Sequence, residues 1–259
     1  MDMSALKNRL KKLKSGGANP NLWRPQDGKQ IIRLVPYRYG DNPLGPFVEL
    51  YFHYDLEGPN YLSPISFQEG KGIGTQELID RSDPVAEFAE HQRRSNGDEG
   101  FEVYKTLYPT LRIYAPVVVR GEEDKGVRFW GFSKTVYEQL MEYMVDPDWG
   151  DLSDAQNGRD IKLTYTTEGV QYPETSIQPK PSQSPLAGSE AELRKLYESQ
   201  VKITEAFDEI PTEDELESAL ESWLNSTVEE EEESPTQASQ QGELEESDDF
   251  DEEYEKMFN

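Results

Sequence analysis

The sequence predicts a mainly β domain with peripheral helices, and three observations predict it. Between Trp23 and Tyr172 lie five short runs rich in β-branched and aromatic residues. Each run is bounded by Gly, Pro, Asn or Asp, the residues that turn a chain. Only two stretches of helical periodicity interrupt them.

The chain opens with Met1 to Lys14, where Met3, Leu6, Leu10 and Leu13 fall at helical spacing and Lys7, Arg9, Lys11, Lys12 and Lys14 fill most other positions. Fourteen residues make a marginal helix in isolation, so this basic arm is expected to order when its Leu stripe or its charges find a partner. Residues 1–19 form the arm and residues 20–187 the core domain. The five strands are Lys29 to Val35, Phe47 to Tyr54, Leu111 to Arg120, Val127 to Phe132 and Asp160 to Thr166. Gly121 to Gly126 joins two of them as a long hairpin loop, and Gly40 to Pro46 makes a second wide turn. Five short strands with long loops fit a small five-stranded barrel of the OB type, whose strand face and loops bind oligonucleotides.

Two helices pack beside the strands. Asp83 to Arg94 starts with an Asp cap and Pro84 at the first helical position, and sets Val85, Phe88 and Ala89 on one face. Ser133 to Val145 carries Val136, Tyr137, Leu140, Met141 and Met144 and stops at Asp146-Pro147. Residues 188–225 are expected to hold a helix from Ser189 to Phe207 and a shorter acidic one from Glu213 to Leu224. Residues 226–259 are expected to be a disordered acidic tail, because acids with Ser and Gln cannot bury enough apolar surface to offset ordering entropy.

Charge is segregated along the chain. Residues 205 to 259 hold twenty-two Asp and Glu against the single Lys256, so this stretch supplies −21 of the net −26. The remainder, with thirty acids and twenty-five bases, is free to present a cationic groove. There is no Cys, which removes disulfides and thiolate metal sites and suits a reducing cytoplasm. No apolar run approaches the ~18 residues of a membrane span, and the N-terminus lacks a signal-peptide core, so a soluble intracellular protein is expected.

Bases and aromatics interleave densely in the core: Arg33, Tyr37, Arg38 and Tyr39; Tyr104, Lys105 and Tyr108; Arg112, Tyr114 and Arg120; Arg128, Trp130 and Lys134. Unpaired strands need this combination, because Lys and Arg neutralise phosphates while bases of any identity stack on aromatic rings. Period-two alternation places Tyr114 on the face of Arg112, and Trp130 on the face of Arg128, which the guanidinium is expected to keep wet. The same aromatics could instead be ordinary core. Enzyme chemistry is weakly represented. Gly70 to Thr75 lacks the ending of a phosphate loop. Asp146, Asp148 and Asp151 could hold a nuclease metal but read more simply as turn residues.

In the tail tip, Phe250, Tyr254 and Phe258 recur at a spacing of four among acids, the pattern of a peptide that folds into a partner's groove. The tail is also expected to compete with phosphate for the cationic groove. A second reading is an acidic adaptor or DNA mimic whose β domain binds protein, and a third is a metal-dependent nuclease.

Several segments together resemble one family. Lys29 to Pro36, the Pro-Phe-Val strand ending in His53, Tyr104 to Arg120, and Val127 to Lys134 leading into a helix with Tyr137, between a basic N-terminus and an acidic tail, resemble the single-stranded DNA-binding proteins of T-even-like bacteriophages, with cyanophage-type members among them. The resemblance implies an OB-fold core that coats single strands, a basic N-terminal segment for cooperative self-association, and an acidic C-terminus that recruits phage replication and recombination proteins in the cytoplasm of the infected host cell. It implies no enzyme activity. Well-studied members carry a zinc subdomain of one His and three Cys. His53 falls near the family's His, but with no Cys the thiolate ligands cannot form, so no cofactor is expected and His53 reads as a packed or hydrogen-bonded histidine.

Overall fold

The computed structural model describes residues 19–39, 44–68, 73, 75–169, 172–207 and 210–232, with side chains to Ser226. The basic arm (Lys7, Arg9, Lys11, Lys12, Lys14), the tail tip (Phe250, Tyr254, Phe258) and most of the Gly70 to Thr75 loop lie outside the described residues. The described residues fall into two units, one reaching Trp223 and one starting at Leu224.

The fold is a β sheet with helices around it. Its strands are β1 (Leu22–Trp23), β2 (Gly28–Leu34), β3 (Val48–His53), β4 (Tyr61–Leu62), β5 (Thr110–Val119), β6 (Arg128–Phe132), β7 (Ile161–Thr166) and β8 (Glu174–Pro179). The five strands expected from sequence are β2, β3, β5, β6 and β7. Among the described residues three more extend them, giving eight in one sheet of order β1-β6-β5-β2-β7-β8, with β3 and β4 branching from β5. The ten-residue β5 organises the sheet. Its first half pairs with β3 through Val48↔Tyr114 and Leu50↔Arg112, its middle with β6, and its end with β2 through Ile32↔Val119.

The helices are α1 (Gln76–Ile79), α2 (Pro84–Ser95), α3 (Gly97–Leu107), α4 (Lys134–Val145), α5 (Glu190–Ser199), α6 (Ile203–Ala206) and α7 (Glu213–Glu232). Asp83 caps α2 by accepting from the Ala86 amide at 3.0 Å, as its sequence position predicts. α3 was not expected. It packs on α2, and Gly100 permits the approach, since a Cβ there would collide with the Gln92 carbonyl.

Both faces of the sheet are covered. Alternate β5 residues Ile113, Ala115, Val117 and Val119 join Ile32, Leu34 and Trp130 in a core completed by Val136, Tyr137 and Leu140 of α4. The opposite face of β3 and β6 supplies Val48, Leu50, Phe52 and Phe129, packed with Ile203 and Ala206 of α6. A third cluster unites Val35, Val118 and Val127 with Leu186 and with Leu196 of α5.

Two helical expectations change. The helix expected over Ser189 to Phe207 breaks into α5 and α6, because the buried Gln200 leaves the helix to serve the end of β2. Its Nε2 donates to the Pro36 carbonyl at 3.1 Å, and its Oε1 accepts from the Arg38 amide at 2.9 Å. The acidic helix expected to stop at Leu224 runs on to Glu232, so the first residues assigned to a disordered tail are helical.

Candidate nucleic-acid interface

Burial sorts the thirteen basic and aromatic residues expected at a site. Arg33 is fully buried, turned away from the Ile32 and Leu34 core. Its Nη2 donates to the carbonyls of Asp154 at 2.6 Å and Ser184 at 2.9 Å, while Nε and Nη1 have no partner. Burial, partly opposed by Asp160, pulls its pKa down to about 10, which still leaves it charged at neutral pH. Arg33 therefore braces two loops from inside and cannot reach a strand of DNA. Trp130 is also a correction. It lies in the core, 4.4 Å from the Phe132 ring centroid and 6.1 Å from that of Trp23. The alternation that put it on the face of Arg128 holds, but that face is covered, so alternation does not make it wet.

Tyr104 is buried between α2 and α3, with Tyr108 half-buried beside it at 4.6 Å and Arg93 over its ring at 5.1 Å. Arg120 is spent on structure, donating to Asp160 and to the carbonyls of Leu186 and Pro185. Arg128 donates to Glu122 at 2.6 Å. Lys105 is exposed over the Phe101 ring, and Lys134 is exposed 3.9 Å from Glu138.

Tyr37 and Tyr39 are half-buried and pinned to the segment that follows α5: the Tyr37 hydroxyl accepts from the Ile203 amide, and the Tyr39 hydroxyl donates to the Gln200 carbonyl at 2.6 Å. Arg38 is exposed and lies 4.7 Å over the ring of Tyr197.

Arg112 and Tyr114 do come together on one face, as the alternation predicts. Cross-strand partners Val48 and Leu50 share that face, and so do Phe52 and Tyr54 further along the β3 alternation. Tyr114 and Tyr54 flank Phe52, at centroid distances of 6.2 and 6.0 Å, and Phe207 closes on Tyr114 at 5.3 Å. Tyr54 is 41% exposed, and the Arg112 Nη2 donates to the Gly131 carbonyl at 3.3 Å. Burial pushes the Tyr114 hydroxyl up to about 12, with Tyr54 adding to the rise and Arg112 and the exposed Arg24 opposing it. Tyr54, Tyr114 and Arg112 thus form a rim on one face of the sheet, and Arg24 lies close enough for its charge to act on the Tyr114 hydroxyl. Gly131 makes room for this arrangement, because a Cβ there would sit 2.7 Å from the Tyr114 ring.

Tyr54 and Arg24 were missed from the sequence. The signal for Tyr54 was present, since it stands two residues beyond Phe52 and continues the same alternation. Arg24 follows a two-residue strand too short to show a pattern.

A family model described as gp32 DNA binding protein like matches residues 26–223. The chain belongs to this family. The sequence resemblance is thereby confirmed, and the gp32-like family is one of DNA-binding proteins rather than enzymes. No curated protein matches the sequence. The family match spans every described strand except β1, together with the Arg112, Tyr114 and Tyr54 rim. Asp146 and Asp151, carboxylates considered for a nuclease, instead accept from the amides of Asp148 and Ser153 as turn caps. Among the described residues, no helix is long and apolar enough to cross a membrane.

Proposed function

We propose that the protein binds single-stranded DNA without sequence preference and coats it during phage replication, recombination and repair in the host cell. The observation that carries this reading is the rim of Tyr54, Tyr114, Arg112 and Arg24 in a chain of the gp32-like family. Aromatic faces accept any base, at about 1 to 3 kcal/mol per stacked base, and guanidiniums neutralise phosphate. Neither discriminates sequence. Arg38 with Tyr197, Lys105, Tyr108 and Lys134 are further candidates for contact along the strand. The antiparallel ladders around β5 are read as an OB-type core, with β7 and β8 extending it.

The remaining parts of the reading rest on sequence. The basic arm, Lys7 to Lys14, joins neighbouring copies along the strand and makes binding cooperative. The acidic tail competes with phosphate for the cationic rim, and its Phe250, Tyr254 and Phe258 stripe docks replication and recombination proteins.

Intrinsic Tyr and Trp fluorescence, titrated with oligo(dT) and with a matched duplex at two salt concentrations, tests the proposal. The full chain is compared with one ending at Glu232, which keeps α7 whole. Quenching by the single strand alone, weaker at high salt and stronger on truncation at low salt, is expected. Absence of quenching from both chains would leave the aromatics as core and favour the protein-adaptor reading. Equal low-salt affinity of the two chains would remove tail competition alone.

A further inference from the structure

His53 ends β3 with its ring turned inward and only 2% exposed. Its Nδ1 lies 2.8 Å from the Leu107 carbonyl oxygen at the end of α3, and its Nε2 lies 3.1 Å from Asp83 Oδ2. Asp83 is the cap of α2, and the same Oδ2 accepts a short bond from the Ser63 hydroxyl. Ser63 follows β4, and its oxygen accepts from the Ile65 amide at 3.2 Å to start a 3-10 turn over Pro64–Phe67. Three buried side chains therefore tie together β3, the end of β4, the start of α2 and the end of α3.

We propose that His53, Asp83 and Ser63 form a metal-free clasp, in which the His53 ring bridges the Leu107 carbonyl and the Asp83 carboxylate and holds the excursion over residues 54–109 to the sheet. The zinc site implied by the family resemblance does not fit these residues. A structural zinc takes four ligands, but the chain has no Cys, and among the described residues no group of three or more His, Cys, Asp or Glu is placed to hold a metal. Each His53 nitrogen already faces an oxygen, so no lone pair is directed at a metal.

Burial raises the Asp83 carboxyl, but the bond and charge of His53, the Ser63 hydroxyl and the Ala86 amide together bring it below the ordinary carboxylate range. The pair is interdependent, because removing either member leaves the other buried without its hydrogen-bond partner.

The full-length chain with ring-15N histidine tests the clasp by NMR. The chain has only His53 and His91, so His91→Gln leaves one set of ring signals. Ring signals unchanged by EDTA dialysis and by equimolar zinc are expected. A zinc-dependent shift accompanied by a higher melting temperature overturns the proposal. Asp83→Asn keeps a capping side chain, and pairs with His53→Gln in a double-mutant cycle read by melting temperature and by cleavage rate within residues 54–109. Each single variant is expected to be cleaved at least about tenfold faster than the parent, with the double variant no worse than the weaker single. Additive losses overturn the clasp. If Asp83→Asn does not fold, Ser63→Ala replaces it in the cycle, with the same expectation and the same refuting result.

Discussion

Gly131→Ala isolates the contact that shapes the aromatic rim. The backbone of Gly131 is not in the left-handed region, so alanine fits it and the perturbation is one methyl group. That methyl would stand 2.7 Å from Tyr114 Cε1, about 0.7 Å short of ordinary contact, with two more ring atoms at 3.1 and 3.3 Å. The ring cannot swing freely, because Phe52 and Phe207 hold it at 6.2 and 5.3 Å between centroids. Overpacking of this kind costs about 1 to 3 kcal/mol. In a folded body of this size that lowers the melting temperature by about 2 to 12 °C. Displacing Tyr114 also removes one stacking surface worth about 1 to 3 kcal/mol, a loss of roughly five- to 150-fold in affinity for oligo(dT). Thermal melting and fluorescence titration at low temperature, where the variant stays folded, separate the two effects. Unchanged melting would show that the ring is not clamped. Lower melting with unchanged affinity would remove Tyr114 from the binding surface.

Arg112→Gln should weaken oligo(dT) binding and flatten the slope of log K against log salt by about 0.7, the share of one phosphate contact on a single strand, as measured by salt titration. Arg33→Ala should act on stability, since the carbonyls of Asp154 and Ser184 each lose a donor at about 1 to 3 kcal/mol. It should melt lower in a thermal scan while its affinity for oligo(dT), measured well below that transition, changes less than about twofold, the scatter expected of a residue outside the binding surface. The Asp83 carboxyl has a folded pKa below its unfolded value of about 3.9, so its contribution is present above that value and is lost as pH falls through the folded one. The urea midpoint should therefore fall more steeply with acid below pH 4 in the parent than in Asp83→Asn.

The sheet was legible where hydrophobic alternation is dense. All five runs rich in β-branched and aromatic residues became strands, and α4 buries Val136, Tyr137 and Leu140, a face the helical spacing marks. β8 was not, because Glu-Thr-Ser-Ile-Gln-Pro offers one strong apolar residue and owes its pairing to β7. α3 carries Gly97 and Gly100, which read as breakers, and the second of these is what lets α3 approach α2. The break between α5 and α6 depends on what Gln200 bonds to at the end of β2, a partner more than 160 residues away. At the site, residue type was legible and burial was not. Period-two spacing correctly joined Arg112 to Tyr114, but could not show that α4 covers the face of Trp130.

The decisive division is among the arginines. Arg33, Arg120 and Arg128 all stand on strands or strand ends and are all drawn into the protein, by backbone carbonyls for the first, by carbonyls with Asp160 for the second and by Glu122 for the third. Arg24 and Arg38 are exposed and Arg112 is half-buried, each near a tyrosine. Fewer cations are therefore free for phosphate than the sequence suggests, so the proposed binding relies more on stacking. This division suits the sequence-independent binding proposed above: the π face that accepts a base is indifferent to its identity, and the guanidinium beside it holds only the backbone. It also accounts for the density of the interleaving. Of the thirteen, Arg112 and Tyr114 join Tyr54 and Arg24 at the rim, while Arg33, Tyr104, Arg120, Arg128 and Trp130 are bound up in the fold behind it.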